Sequence, residues 1–118
     1  GLVVTMWAYP RGKHVQGSET TKETVAYGAR IALEMGADFV KVPYTGDAES
    51  FSWVVKSAGE TKVLIQGGSQ KTEEQLLEEI GGAMSAGAAG VAVGRNIWQS
   101  SDPVGMAKKI ERVVYGKL

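Results

Sequence analysis

Three groups of residues in this sequence have types and spacings that can do chemistry. The first is Lys41, set in the apolar run Asp38-Phe39-Val40-Lys41-Val42-Pro43. A lysine in the middle of an apolar strand is costly to bury as a cation. Burial lowers an amine's pKa and leaves it nucleophilic near neutral pH, as a Schiff-base lysine requires. The same pattern also fits a lysine that carries its ammonium out to the strand end. The second group is Trp7 and Tyr9, in Trp7-Ala8-Tyr9-Pro10-Arg11-Gly12. Two residues apart on a strand, both rings point to one face. The third is a pair of glycine loops, Gly67-Gly68-Ser69 and Gly94-Arg95-Asn96. Glycine lets backbone N–H groups approach an anion, a following helix start favours negative charge, and Arg95 adds a bidentate cation. Either loop alone also reads as a tight turn.

These residues need elements to hold them. Short apolar runs alternate four times with longer amphipathic stretches. Strands are expected over Leu2–Tyr9, Ala37–Pro43, Lys62–Gln66 and Gly90–Val93, the first being rich in β-branched and aromatic residues. A helix is expected from about Thr21 to Met35, with Val25, Ala29, Ala32 and Leu33 on one face. A second runs from Ala48 to about Ser57, capped by Asp47. Thr72 with Gln75 has the capping-box form and opens a third helix to about Ala86, although Gly81-Gly82 weakens its middle. A loop from Gly94 to Ser101 precedes a last helix, capped by Asp102 with Pro103 at its first position. Gly36, Gly59 and Gly87 fall at helix ends. The reading is βαβαβαβα, with parallel strands buried on both faces. The strand ends at Tyr9, Pro43, Gly67 and Gly94 are 34, 24 and 27 residues apart, the size of repeated βα units. In such a layout the carboxyl ends of the strands form the site, and all three groups above fall there. An eight-stranded barrel needs about 250 residues, so four units predict a single (βα)4 half-barrel domain over residues 1–118. An open flavodoxin-like sheet is the competing architecture, with a nucleotide or flavin as its ligand.

Composition narrows the function classes. The chain has 118 residues, 13 Lys+Arg against 13 Asp+Glu, and no Cys. Zero net charge gives no electrostatic footprint for nucleic acid or an anionic membrane. The apolar runs are far short of the roughly 20 residues that span a bilayer, and no signal-peptide pattern is present. Without cysteine there is no disulfide framework and no thiolate metal site, which suits a cytoplasmic protein. His14 is the only imidazole and reads as surface, so no metal site is expected. No P-loop, Rossmann fingerprint or nucleophile elbow occurs. Glu73, Glu74, Glu78 and Glu79 read as a solvated helix face, Phe51 and Trp53 as core, and Trp98 as either core or site. Gly is the outlier, at 16 of 118 residues against a usual share of about 7%.

Four stretches together resemble a known family: Trp7-Ala8-Tyr9-Pro10-Arg11-Gly12, Ala37 to Gly46 around Lys41, Gln66-Gly67-Gly68-Ser69, and Gly87 to Ile97 with Gly94-Arg95-Asn96. They resemble, in order across nearly the whole chain, the archaeal-type class I fructose-bisphosphate aldolases, a family that includes aminodideoxyheptulosonate synthases. The resemblance implies a TIM barrel of which these motifs form the second half. It implies that Lys41 forms the Schiff base, that Tyr9 is the acid/base residue and that Trp7 walls the site. It also implies that Gly67, Gly68, Ser69, Gly94 and Arg95 hold a substrate phosphate, and that Arg11 and Trp7 are substrate-binding too. No cofactor is implied; the partners are a phosphorylated sugar and either a second copy of the chain or a complementing first half-barrel. Members of the family serve glycolysis and gluconeogenesis. The first half-barrel, with a strand-one aspartate that such enzymes use near the lysine, has no counterpart in these residues. A phosphate-binding assembly module without turnover is therefore the main alternative.

Overall fold

The computed structural model describes residues 1–116. Lys117 and Leu118, at the end of the expected domain, lie outside the described residues. Four strands, β1 (Thr5–Trp7), β2 (Phe39–Val42), β3 (Lys62–Gln66) and β4 (Gly90–Ala92), form one parallel sheet in the order β1-β2-β3-β4. The helices are α1 (Lys22–Glu34), α2 (Ala48–Ser57), α3 (Glu73–Ser85), α4 (Arg95–Trp98) and α5 (Pro103–Tyr115). Strand order follows chain order without reversal. A flavodoxin-like sheet reverses order at its ligand-binding crevice, so that alternative is set aside.

The helix starts follow their capping chemistry. Thr21, Asp47 and Thr72 accept from the backbone N–H three residues on, and Thr72 and Gln75 complete a reciprocal capping box. Hydrogen bonds from the Ser50 backbone and hydroxyl hold the Asp47 carboxyl below its ordinary pKa. Asp102 caps α5 through Gly105, with Pro103 at the first position. Gly36, Gly59 and Gly87 follow α1, α2 and α3 with φ of +77°, +58° and +99°. The helix α3 passes through Gly81-Gly82 unbroken. A Cβ at residue 82 would collide with the Tyr44 hydroxyl, whose ring packs on Phe51 at 5.2 Å.

One face of the sheet is buried by the helices and the other is not. Val40, Val42, Val63 and Ile65 join Val25, Ala29, Ala32, Phe51, Val54, Leu76, Ile80 and Met106 in one core. Their alternating neighbours Lys41, Leu64 and Gln66 are only half-buried, and Thr5, Trp7 and Lys62 are exposed. This corrects the expectation of strands buried on both faces. The side chains alternate with the two-residue strand period, and no element among the described residues covers the second face.

Other differences have local causes. The first strand is expected over eight residues but pairs over three, because β1 is an edge whose partner β2 starts at Phe39. Leu2, Val3 and Val4 stay exposed, tethered where Val4 N–H donates to the Asp38 carboxylate at 2.8 Å. β2 loses Ala37, whose N–H donates to Ala32 at the end of α1, and Pro43, which has no N–H to pair. β4 stops at Ala92, one residue short of the expected Val93. The expected loop from Gly94 to Ser101 contains α4, started where Ile97 and Trp98 N–H donate to the Gly94 carbonyl. Phe51 is core as expected, but Trp53 is 56% exposed, since α2 turns Phe51 and Val54 inward and Trp53 outward. The acidic face of α3 is partly paired: Glu73 accepts from Lys109 at 2.6 Å and Glu79 from Lys71.

Candidate active site

The uncovered face carries Lys41. Lys41 pairs in register with Trp7 on one side and Leu64 on the other. Its Nζ lies 4.0 Å from the centre of the Trp7 ring, a cation–π contact of about 0.5–1 kcal/mol. No carboxylate among the described residues forms an ion pair with it. The period of the strand therefore puts the amine on the open face while Val40 and Val42 anchor it to the core from behind.

Lys41 shares a cleft of about 170 Å³ with Gln66, Gly67, Gly68, Ala92, Gly94, Arg95 and Trp98. The two glycine loops meet there across adjacent strands. Arg95 Nη2 donates to the Gly68 carbonyl at 3.1 Å and bridges them, leaving its other guanidinium donors available. Gly68 sits at φ +65°, where a side chain would be strained. Among the described residues, the N–H groups of Gly68 and Ser69 donate to no acceptor. At Gly94 the constraint is space, not backbone angle: a Cβ would lie 2.5 Å from the Trp98 ring. Free N–H groups beside a guanidinium form a receptor for an anionic oxygen cluster. The start of α3 does not belong to it, because Thr72, Gln75, Glu73 and Glu74 already satisfy that terminus. That narrows the expected anion site to the loops themselves.

The remaining expected residues divide. Ser69 faces the other side of its loop, in a separate cleft with Tyr44, Lys71 and Glu79. Trp7 touches both Lys41 and Tyr9, whose ring meets it edge-on at 6.5 Å. Tyr9 and Arg11 line a larger groove of about 580 Å³ between the open edge of β1 and α1, with Val15, Tyr27 and Ile31. The Arg11 guanidinium lies 5.9 Å over the Tyr9 ring. Burial raises the Tyr9 phenol above its ordinary pKa and the Arg11 charge partly offsets this. The phenol is therefore protonated at neutral pH. His14 is exposed, as expected for surface. Gln66 and Ala92 are not among the expected site residues, and Trp98, open between core and site in the sequence, lines the cleft. The two-residue period from Leu64 and Gly90 marks Gln66 and Ala92, but Trp98 needs the turn of α4, which the sequence pattern does not reveal.

Lys41 and the two glycine loops thus stand at the carboxyl ends of consecutive parallel strands, where an α/β barrel places its site, and the chain supplies four βα units of such a barrel. A sequence profile of the DeoC/LacD family aldolases matches residues 1–100, and the chain belongs to that family. It is 52% identical over 116 residues to the class 1 fructose-bisphosphate aldolase of Thermoproteus tenax, covering 98% of this chain and 44% of that protein. It is 40% identical over 118 residues to the 2-amino-3,7-dideoxy-D-threo-hept-6-ulosonate synthase 1 of Archaeoglobus fulgidus, covering all of this chain and 42% of that one. A solved archaeal fructose-1,6-bisphosphate aldolase, with its catalytic Lys covalently bound to the carbinolamine intermediate of the substrate, superposes with a TM-score of 0.92. It is 50% identical, over 98% of this chain and 46% of its own. The chain thus spans less than half the length of the relatives it matches.

The Tyr9 environment is testable directly. In an ultraviolet titration, the difference between the native chain and Tyr9→Phe should give a midpoint above the ordinary tyrosine value of 10.0. A midpoint at or below it contradicts the desolvated phenol.

Proposed function

We propose that this chain is the lysine-bearing half-barrel of a class I, Schiff-base fructose-1,6-bisphosphate aldolase. One observation carries the reading: Lys41 lines the same cleft as Gly67, Gly68, Gly94 and Arg95. A keto-phosphate can then place its carbonyl at the amine and its phosphate in the loops at once. The similarity to the aldolase of Thermoproteus tenax supports the substrate class.

The chemistry follows from those positions. The neutral Lys41 amine adds to the ketone carbon, giving a carbinolamine that loses water to an iminium. The iminium accepts the electron pair of the breaking C3–C4 bond. Tyr9 gives its proton to the departing carbinolamine hydroxyl, and its phenolate then takes the C4 hydroxyl proton as glyceraldehyde 3-phosphate leaves and an enamine remains on Lys41. Protonation of the enamine at C3 and hydrolysis release dihydroxyacetone phosphate and regenerate the amine. Tyr9, protonated at neutral pH, is the donor to C3, and in the condensing direction its phenolate takes that proton back. Trp7 aligns the lysine, and the phosphate loops fix the substrate so that the ketone meets the amine repeatedly in one geometry. Arg11 supports Tyr9 from above its ring.

The half-barrel, a single domain over residues 1–118, is completed by a second copy of the chain or by a separate first half. Support comes from the sheet. β1 and β4 each have one unpaired edge, and the β1 edge adjoins the apolar groove and the exposed Leu2, Val3 and Val4. A two-fold pair would put two Lys41 cavities in one barrel. Covering the open face would also desolvate Lys41. The site is a cytoplasmic one in this reading; no helix of the described residues is long and apolar enough to cross a membrane. A second reading, in which the chain binds phosphate and assembles without turnover, is favoured by Tyr9 lining a groove other than the cleft of Lys41.

Two measurements separate these readings. Dihydroxyacetone phosphate with borohydride should add one reduced adduct per chain by intact mass, and Lys41→Met should abolish it. No adduct, or one that survives Lys41→Met, rejects the aldolase reading. Native mass spectrometry of the purified chain should show an assembly of at least twice the 12.5 kDa of one copy. A lone monomer at micromolar concentration counts against self-completion and leaves a separate first half as the partner.

A further inference from the structure

Asn96 stands one residue beyond the arginine of the cleft and does not line it. It is 6% exposed, one of two buried polar residues among those described, the other being Thr61. Its Nδ2 donates to the Gly67 carbonyl at 3.0 Å and to the Ser69 carbonyl at 3.2 Å. Its Oδ1 accepts from Lys71 N–H at 2.9 Å. The orientation of the amide is fixed by these partners, since a flipped amide would set its oxygen against two carbonyl oxygens. Arg95 takes the intervening carbonyl, that of Gly68. Two consecutive side chains thus hold three consecutive carbonyls.

That arrangement decides which way the loop presents its polarity. Every peptide bond here is trans, so each N–H points opposite to the carbonyl of the same peptide. With the carbonyls of Gly67 and Ser69 drawn back to Asn96, the N–H groups of Gly68 and Gln70 turn to the other side. The Gly67 and Ser69 carbonyl oxygens, which repel an anion, are withdrawn to Asn96, and that of Gly68 is held by Arg95. Gly67 allows this close backing, because a Cβ there would stand 3.3 Å from Asn96 Nδ2 and 2.9 Å from Val93 Cγ1.

We infer that Asn96 is a positioning residue that orients the Gly67–Lys71 loop as a phosphate receptor, and so sets the preference of the site for phosphorylated over unphosphorylated ketones. The substrate part rests on the aldolase reading; the anion part does not. Asn96→Asp keeps the shape but replaces the NH2 group, with both its donors, by a carboxylate oxygen that repels the Gly67 and Ser69 carbonyls. The first readout is the ratio of borohydride trapping rates with dihydroxyacetone phosphate and with dihydroxyacetone. The ratio should fall about tenfold or more in Asn96→Asp. A merely structural role lowers both rates together, and an unchanged ratio overturns the inference. The second readout is inorganic phosphate binding, followed by amide shifts of Gly68 and Gln70. It should weaken by a similar factor in the variant, and equal binding in native and variant chains, or none in the native chain, overturns the inference. If the native chain traps neither ketone, the aldolase reading fails while weakened phosphate binding still upholds Asn96. Should Asn96→Asp not fold, Gly67→Ala displaces the same amide and is held to the same two outcomes.

Discussion

The two-residue alternation along β2 is the constraint on which this molecule depends. Val40 and Val42 are fully buried beneath the helices, and Lys41 between them can only face the opposite side. A one-residue slip in register would put the ammonium into an apolar core and two valines into the cleft. The core therefore specifies where the Lys41 side chain goes. The same alternation in β3 sends Val63 and Ile65 inward and Gln66 to the cleft beside Lys41. Strand pairing then brings the ends of β2, β3 and β4 into one rim, and the glycine loops follow from there.

Much of this architecture is legible in the sequence, and for identifiable reasons. The ranges of α2 and β3, and the caps Asp47, Thr72 and Asp102, are read correctly because capping and β-branched runs are local signals. The ends of β1 and β2 are overcalled because apolar character continues past the point where a partner exists to pair with. Burial on both faces is a misreading of the same kind. Apolar runs such as Phe39-Val40 and Val63-Leu64-Ile65 suit a strand inside a complete barrel, and four units cover one side only.

The site divides in the same way. Lys41, Gly67, Gly68, Gly94 and Arg95 stand out by residue type at strand ends, and they converge. Tyr9 and Arg11 stand out equally but line the groove at the β1 edge, linked to the lysine only through Trp7. Asn96 was visible beside Arg95 in the sequence, yet its part is played by contacts to residues 25 to 29 positions away. Such contacts arise only when β3 and β4 lie side by side. Glycine, the compositional outlier, resolves into distinct uses: left-handed helix ends, the left-handed Gly68, and the close approaches at Gly67, Gly82 and Gly94.

The central claim is that one cleft holds both the reacting carbon and the phosphate of a single substrate. A crystal structure of the chain in its native assembly, soaked with dihydroxyacetone phosphate, tests it most directly. The expected result is continuous density from Lys41 Nζ to the ketone carbon, with the phosphate against Arg95 and the Gly68 loop. Phosphate bound elsewhere, or a ligand in the cleft with Lys41 unmodified and turned away, contradicts the claim.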